Sequence, residues 1–485
     1  MYLLGLDIGT TGCKANIFND FIFKKTFYKS YPSIRNEKEA IIDIDKLRES
    51  IFDIIQESLE EFPYIEAIGI TSFGESFVLL DKDDNVLFDC MLLGDPRGLV
   101  ECSELEKDFG NDYLKRVTGQ YANPTLSFSK ILYVKNNYPQ VFEKVKRLML
   151  IEDYAVYLLT GVQQIDYSLA ARTQCFDVYK KSWDENLMTK YNIPVSIFSK
   201  PVRTGTIAGN LKSELSNNKN IKVINISHDQ ISNLVGSGAS KIGDVADGIG
   251  TCECLTATFN DNINSDILAK YGFGIIPSFT EDTYCCYGYT STAGACNDWF
   301  IKTFNSFNAK GQNFEYFNSR IKNKPTDLFF LPYLSGSGTP YNEVRNYGSI
   351  IGLNLSTTRE EIYQSIIESL CFENKLNIDL ISKAGVKIKK LYVTGGCSLN
   401  DNWLQLKANI LGLPVYQMTY KDAGTIGAIA IMMKSIGRKE NLNDLVGKLN
   451  PINKVFNPDK EINKLYGSRY NQYIKLYKVL KKEGF

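Results

Sequence analysis

The stretch Leu4-Gly5-Leu6-Asp7-Ile8-Gly9-Thr10-Thr11-Gly12-Cys13-Lys14 constrains this chain more than any other. The apolar run over residues 1–6 predicts a strand, and turn residues follow it at once. A second, alternating run over 13–18 makes the whole a β-hairpin with a Gly/Thr tip. Glycine lets a ligand approach the backbone closely. The tip therefore offers peptide N–H groups, the hydroxyls of Thr10 and Thr11 and the ammonium of Lys14 to an anion. Asp7, at the strand end, is placed to hold Mg²⁺ through water, because that ion keeps much of its hydration shell. The motif is a phosphate-holding hairpin and not a Walker A loop, which needs GxxxxGK[ST] leading into a helix.

Residues 247–259 repeat the pattern: Asp247, then Gly250-Thr251, then an alternating strand. Each hairpin alone reads equally well as an ordinary tight turn. Two of them half a chain apart favour a pair of related domains facing each other across nucleotide phosphates.

A chain of 485 residues is too long for one ordinary core. The expected division is 1–239 and 240–485, with a hinge around 236–243. With 55 basic and 55 acidic residues there is no field for a polyanion, so a nucleic-acid partner is disfavoured. No apolar run approaches the ~18 residues of a membrane span, and the chain enters a strand without a cleavable leader. A soluble, cytoplasmic protein is expected. The eleven cysteines lack paired CxxC spacing, which favours buried free thiols over disulfides or zinc. The single histidine, His228, and the absence of GxSxG argue against a histidine metal site or a Ser-His triad.

In chain order, the 3.6-residue period predicts a helix over 43–62 and the apolar run a buried strand over 65–72. The loop Thr71-Ser72-Phe73-Gly74-Glu75-Ser76 sits at that strand's end, where open α/β sheets bind ligands. Asp95 and Arg97, stiffened by Pro96, read as a substrate clamp or as a surface ion pair. A helix is expected over 127–137. The segment Asp166 to Thr173 is polar and small, and lines a cleft or packs under a loop. A strand over 221–226 leads into Ser227-His228-Asp229-Gln230. There Asp229 is either an N-cap or a general base that takes the proton of an attacking hydroxyl. Farther on, Gly294 to Asp298 starts a helix, and Gly395-Gly396 follows an apolar strand, either to lay a base or ribose against the backbone or to turn tightly. Residues 422–428 begin a small-residue helix fit for close packing, and 460–485 reads as a charged helix.

The order of these motifs resembles the FGGY carbohydrate kinases, of the sugar kinase/actin/heat-shock ATPase superfamily. The most specific element is Gly348-Ser349-Ile350-Ile351-Gly352-Leu353, then seven residues, then Glu361-Ile362-Tyr363-Gln364-Ser365-Ile366-Ile367-Glu368. Asp166-Tyr167-Ser168 with Ala171-Arg172-Thr173, the run from Phe330 to Gly336, and Thr394-Gly395-Gly396 add to it. The resemblance implies an α/β fold of two RNase H-like (actin-like ATPase) domains, with ATP and Mg²⁺ between them and the sugar deep in the cleft. By position, Asp229 is similar to the family's catalytic aspartate, with Gln230 beside it at the substrate. Thr10, Thr11, Lys14, Gly250 and Thr251 fall at phosphate contacts. Gly294, Asp298, Gly395, Gly396 and Asn400 fall where the family holds nucleotide, and Glu75, Asp95 and Arg97 near where it holds sugar.

Departures narrow the acceptor. Glycerol kinases carry Arg-Glu where this chain has Gly74-Glu75, and a tyrosine near Thr125, so glycerol is disfavoured. Xylulokinases typically carry Gln-Met-His at Phe73-Gly74-Glu75. The expectation is a kinase for a small sugar, sugar acid or polyol, pentulose-like in preference, whose assembly includes a homodimer among its options. The rivals are an actin- or chaperone-like ATPase switch and a phosphohydrolase of the same superfamily.

Overall fold

A computed structural model describes residues 1–482 apart from 217, 219, 261, 305–313 and 344–347. The chain divides into two units. The first comprises residues 1–236, 274–285 and 423–449, and the second 237–273, 286–422 and 450–485. The first crossing thus falls between Gly236 and Ser237, and two later segments return to unit 1.

Unit 1 is built on a sheet of β1 (Tyr2–Ile8), β2 (Gly12–Asn19), β3 (Ile22–Ser30), β4 (Ile65–Ser72), β5 (Thr206–Asn210) and β6 (Lys222–His228), in spatial order β5-β6-β4-β1-β2-β3. β1, β2 and β3 run antiparallel through tight turns, and β1, β4 and β6 run parallel. Parallel strands need both faces covered, which their near-continuous apolar runs reflect. On one face Leu4, Leu6, Ile68 and Ile70 pack with Leu47, Ile51, Ile54 and Ile55 of α1 (Ile44–Glu61). On the other, Leu3, Ala67, Ile224 and Ile226 pack with Ile426 and Ile429 of the helix Ala423–Ser435.

Unit 2 repeats this plan. Its strands β7 (Asp244–Ile249), β8 (Glu253–Phe259), β9 (Tyr284–Thr290, in this unit from Cys286), β10 (Lys390–Thr394), β11 (Val415–Met418) and β12 (Ile452–Phe456) lie in the order β9-β8-β7-β10-β11-β12. Again a hairpin (β7, β8) is followed by parallel neighbours, β7 with β10 and β10 with β11, and an antiparallel edge strand. The two hairpins read from the sequence are therefore the same position in two copies of one topology.

Unit 2's tail helix, Lys460–Lys482, is charged on its outer face but carries Tyr466, Tyr470, Tyr473 and Tyr477 buried on the other. Among the described residues, no helix is long and apolar enough to cross a membrane. All eleven cysteines are free thiols, eight of them buried.

Candidate active site

In unit 1, register brings the acidic residues together. Asp7 on β1 pairs with Thr71 on β4, and Ser227 on β6 pairs with the same threonine. The three parallel strands thus end side by side, and Asp7, Glu75 and Asp229 occupy or directly follow those ends. Carboxyl ends of parallel strands are where open α/β sheets bind ligands. The Thr71 hydroxyl donates to the Ser227 carbonyl at 2.7 Å and locks the alignment.

Asp229 is the first residue of α2 (Asp229–Gly236). About a third of its side chain stays accessible, 33 %, but its Oδ1 is sealed from solvent. Removal from water pushes its carboxyl up to about 8, and the charges of Asp7 and Glu75 add to that effect. His228 Nε2 lies 3.3 Å from Asp229 Oδ1. Burial drives the imidazole down to about 4, so it is neutral near pH 7.

Glu75 has φ +67°, left-handed for a residue with a side chain, and is buried. Arg172 grips its Oε1 through Nε at 2.5 Å and also through Nη2. Burial works to raise the Glu75 carboxyl, but Arg172 overcomes it and holds the group below its ordinary value. Gly74 has no room for a side chain: a Cβ there would lie 2.8 Å from Arg172 Cγ and 3.2 Å from His228 Cδ2.

Asp95 is a buried carboxylate rather than half of a surface pair. Its Oδ1 accepts Arg97 N and Nε at 3.0 and 2.8 Å, and Oδ2 accepts Arg97 Nη2 and Ala40 N at 2.7 and 2.9 Å. Four donors use most of what a carboxylate can accept. Asp166 and Ser168 also prove buried: the Ser168 hydroxyl donates to Asp166 and accepts His228 N–H at 2.9 Å, bracing the residue before Asp229.

The first hairpin tip is held from β3's far end. Tyr31 donates its hydroxyl to the Gly9 carbonyl and its N–H to the Thr11 carbonyl at 3.2 Å. Thr10 is half-buried, Thr11 exposed and Lys14 half-buried. Gln230 follows Asp229 and is half-buried.

In unit 2 the glycines converge. Gly250 and Thr251 accept the N–H groups of Gly294 at 2.9 Å and Ala293 at 2.8 Å, which seats the start of the helix Gly294–Phe304 on the hairpin tip. A Cβ at Gly294 would stand 2.6 Å from the Gly250 carbonyl. Gly395, at φ +93°, comes so close to Ile249 that a Cβ would lie 2.4 Å from its carbonyl. Gly396 has nothing within 4 Å of that position, leaving open space over the backbone. Asp298 is exposed on the helix. Asn400 caps α4 (Asp401–Leu411) by accepting Trp403 N–H at 3.2 Å, while its buried Nδ2 has no partner among the described residues.

Arg172 stands in a sequence motif that assigns it no role, and no sequence spacing predicts the buried triad below the second hairpin. Lys407 bridges Asp247 and Glu253, with all three side chains fully buried, and Asn374 donates to Glu253 at 2.8 Å. The hairpin's two flanks are thereby tied to α4 and to α3 (Arg359–Lys383). The available signal was the acidic residue on each flank of the Gly-Thr tip.

Family models for the N- and C-terminal domains of the FGGY family of carbohydrate kinases match residues 2–236 and 249–436. A xylulose kinase of Bacillus subtilis (strain 168) is 25% identical over 98% of this chain and 96% of its own. A glycerol kinase of Pseudothermotoga lettingae is 27% identical over 90% of each. Among solved structures, a ligand-bound xylulose kinase from Lactobacillus acidophilus superposes with TM-score 0.91 at 22% identity, covering 99% of this chain and 98% of that one. A gluconate kinase from the same organism gives 0.90 at 22% identity over the same shares. The chain is an ATP-dependent phosphotransferase acting on a sugar or polyol hydroxyl, and it belongs to the FGGY family of carbohydrate kinases.

Proposed function

We propose that the acceptor is a ketopentose of the xylulose kind, and that Asp229 is the base that accepts its hydroxyl proton. The observation that carries this reading is the meeting of Asp7, Glu75 and Asp229 at three adjacent strand ends, with the Asp229 carboxyl lifted toward the range of a working base. Glu75, Arg97 and Gln230 hold the acceptor's other hydroxyls. Asp95 supports that role indirectly, by fixing Arg97.

Relatives named xylulose kinase support the pentulose preference. The filled space beside Gly74 leaves no place for the arginine that glycerol kinases carry there, nor for the methionine of xylulokinases, so it counts against glycerol without favouring a pentulose. In unit 2, Gly250, Thr251, Gly294, Asp298, Gly395, Gly396 and Asn400 serve the nucleotide. Thr10, Thr11 and Lys14 in unit 1 serve its phosphates. The close backbones and the open face of Gly396 suit a flat ligand.

The charges of Asp7 and Glu75 both raise the Asp229 carboxyl, and Arg172 already pairs with Glu75, which leaves Asp7 as the carboxylate to meet a cation. No cluster of three metal-ligating side chains forms among the described residues, so Asp7 would hold a divalent cation through water. Bound Mg²⁺ would supply charge neutralisation on the phosphates. Eleven free cysteines support a reducing compartment such as the cytoplasm.

The test is ATP consumption against ketopentoses, ketohexoses, sugar acids and polyols. Highest kcat/KM with a ketopentose is expected. A preference for glycerol would overturn the acceptor assignment, and phosphate release independent of any acceptor would overturn the base assignment.

A further inference from the structure

Lys130 lies in the helix Ser127–Asn137, in a turn whose side chains are all buried, and is itself fully buried. Its ammonium donates to two main-chain carbonyls, Leu92 at 3.0 Å and Glu75 at 3.5 Å. These belong to the two loops that carry the acceptor-facing residues. The Leu92 carbonyl also takes Asp95 N–H at 3.1 Å, so it is the first residue of the turn that sets Asp95 and Arg97. The Glu75 carbonyl belongs to the residue held at φ +67°.

A left-handed glutamate persists only where its surroundings over-determine it. Here Arg172 fixes the side chain and Ser76 N–H bonds back to the Gly74 carbonyl at 2.9 Å. That leaves the carbonyl of residue 75 to be held by Lys130. An ammonium is costly to bury, and burial pulls Lys130 down to about 8 against the opposing pull of Glu75 and Asp95. A methionine or leucine would fill the same volume at no such cost, so packing alone gives no reason for a lysine here.

We propose that Lys130 is a positioning residue for the acceptor: its ammonium pins the left-handed turn at Glu75 to the Leu92–Arg97 loop, so that the Glu75 carboxylate meets the acceptor in one orientation. The inference rests on the assignment of Glu75 to the acceptor made above.

A double-mutant cycle tests it, using the full chain with ATP and a fixed panel of D-xylulose, D-ribulose, D-fructose, D-gluconate and glycerol, with KM read for whichever gives the highest kcat/KM. Lys130→Met is expected to raise acceptor KM by about tenfold in the parent and less than about twofold in the Glu75→Gln background, with KM for ATP steady throughout. Equal losses in both backgrounds, or a matching rise in KM for ATP, would show a merely structural lysine and overturn the proposal. If Glu75→Gln leaves acceptor KM unchanged, the assignment of Glu75 fails and takes the inference with it, an outcome distinct from independent losses. Should Lys130→Met not fold, Lys130→Gln, which keeps an N–H donor on a shorter uncharged stem, goes through the same cycle with the same criteria.

Discussion

As the proposed base, Asp229 must give up its proton before it can take one from an alcohol. Its carboxyl sits at about 8 in the protein without ligands, chiefly through burial and then through Asp7 and Glu75. The sign follows directly: the base form is lost as pH falls through that value. We therefore expect kcat/KM for the acceptor, which reports free-enzyme groups, to rise from pH 6 through half its maximum near pH 8 and to level off about one pH unit higher. A profile flat down to pH 6 would contradict the assignment. Glu75→Gln is expected to change the ranking of acceptors while leaving KM for ATP within about twofold; an unchanged ranking in the same panel would remove Glu75 from the site. Asp229 and Glu75 were legible in the sequence because each follows an apolar strand with a polar turn. Lys130 and Lys407 were not, because a lysine in an apolar helix reads as a side chain reaching back to water, and the motif that holds Arg172 does not name its partner Glu75, 97 residues away. Lys407's partners lie 160 and 154 residues away in sequence. Only the folded chain shows that such a charge is sealed.

Elements carry the next level of the design. The small-residue helix expected from 422 onward packs against α2 so closely that a Cβ at Gly427 would fall 1.9 Å from the Ser232 carbonyl. Gly427→Val is therefore expected to destabilise the protein by about 2 kcal/mol or more, through overpacking against a backbone that cannot yield. An unchanged urea midpoint would count against that packing. In unit 2, Lys407→Met leaves Asp247 and Glu253 buried without their cation. A loss of about 3–5 kcal/mol is expected, read by denaturant unfolding; a loss under about 1 kcal/mol would mean that the carboxyls are neutral without the lysine.

Glu368 closes the motif that matched the family most specifically, and its carboxylate is taken up by bonds within unit 2. Glu368 accepts Thr326 N–H at 3.0 Å, Thr326 Oγ1 at 2.8 Å and Tyr466 at 3.0 Å, which fastens the tail helix to α3. Five residues on, Glu373 accepts Tyr333 at 2.8 Å and Tyr473 at 2.5 Å, and burial raises its carboxyl from 4.5 to about 7. A raised acid favours the folded state only while it is protonated. That contribution is complete below pH 4.5 and is lost as pH rises through about 7. Glu373→Gln should flatten the fall in stability across this window in urea titrations, and an identical slope would remove Glu373 as its source. The tail's charged pattern was legible in the sequence, but its tyrosine face was not, since tyrosines serve equally well at a surface.

At the scale of the whole chain, one topology appears twice, with a hairpin and two parallel strands in each unit. That duplication was legible because a Gly-Thr tip after an acidic strand is local. The return of residues 274–285 and 423–449 to unit 1 was not, because nothing local marks which sheet a helix will cover. The copies have diverged in their chemistry. Unit 1 gathers carboxylates at its strand ends, whereas unit 2 gathers glycines and neutralises its own buried acids with Lys407. This division suits the proposed roles, proton handling by the carboxylates of unit 1 and backbone accommodation of nucleotide by the glycines of unit 2. The claim at its centre is that Asp229 deprotonates the acceptor. Sugar phosphate formed from ATP and the best acceptor, followed by ³¹P NMR for the parent and Asp229→Asn, tests it most directly. A loss of about 10²–10⁴-fold in kcat is expected, with nucleotide affinity and thermal midpoint preserved. An Asp229→Asn protein that keeps a tenth or more of the parent rate, as an order-of-magnitude threshold, would contradict it.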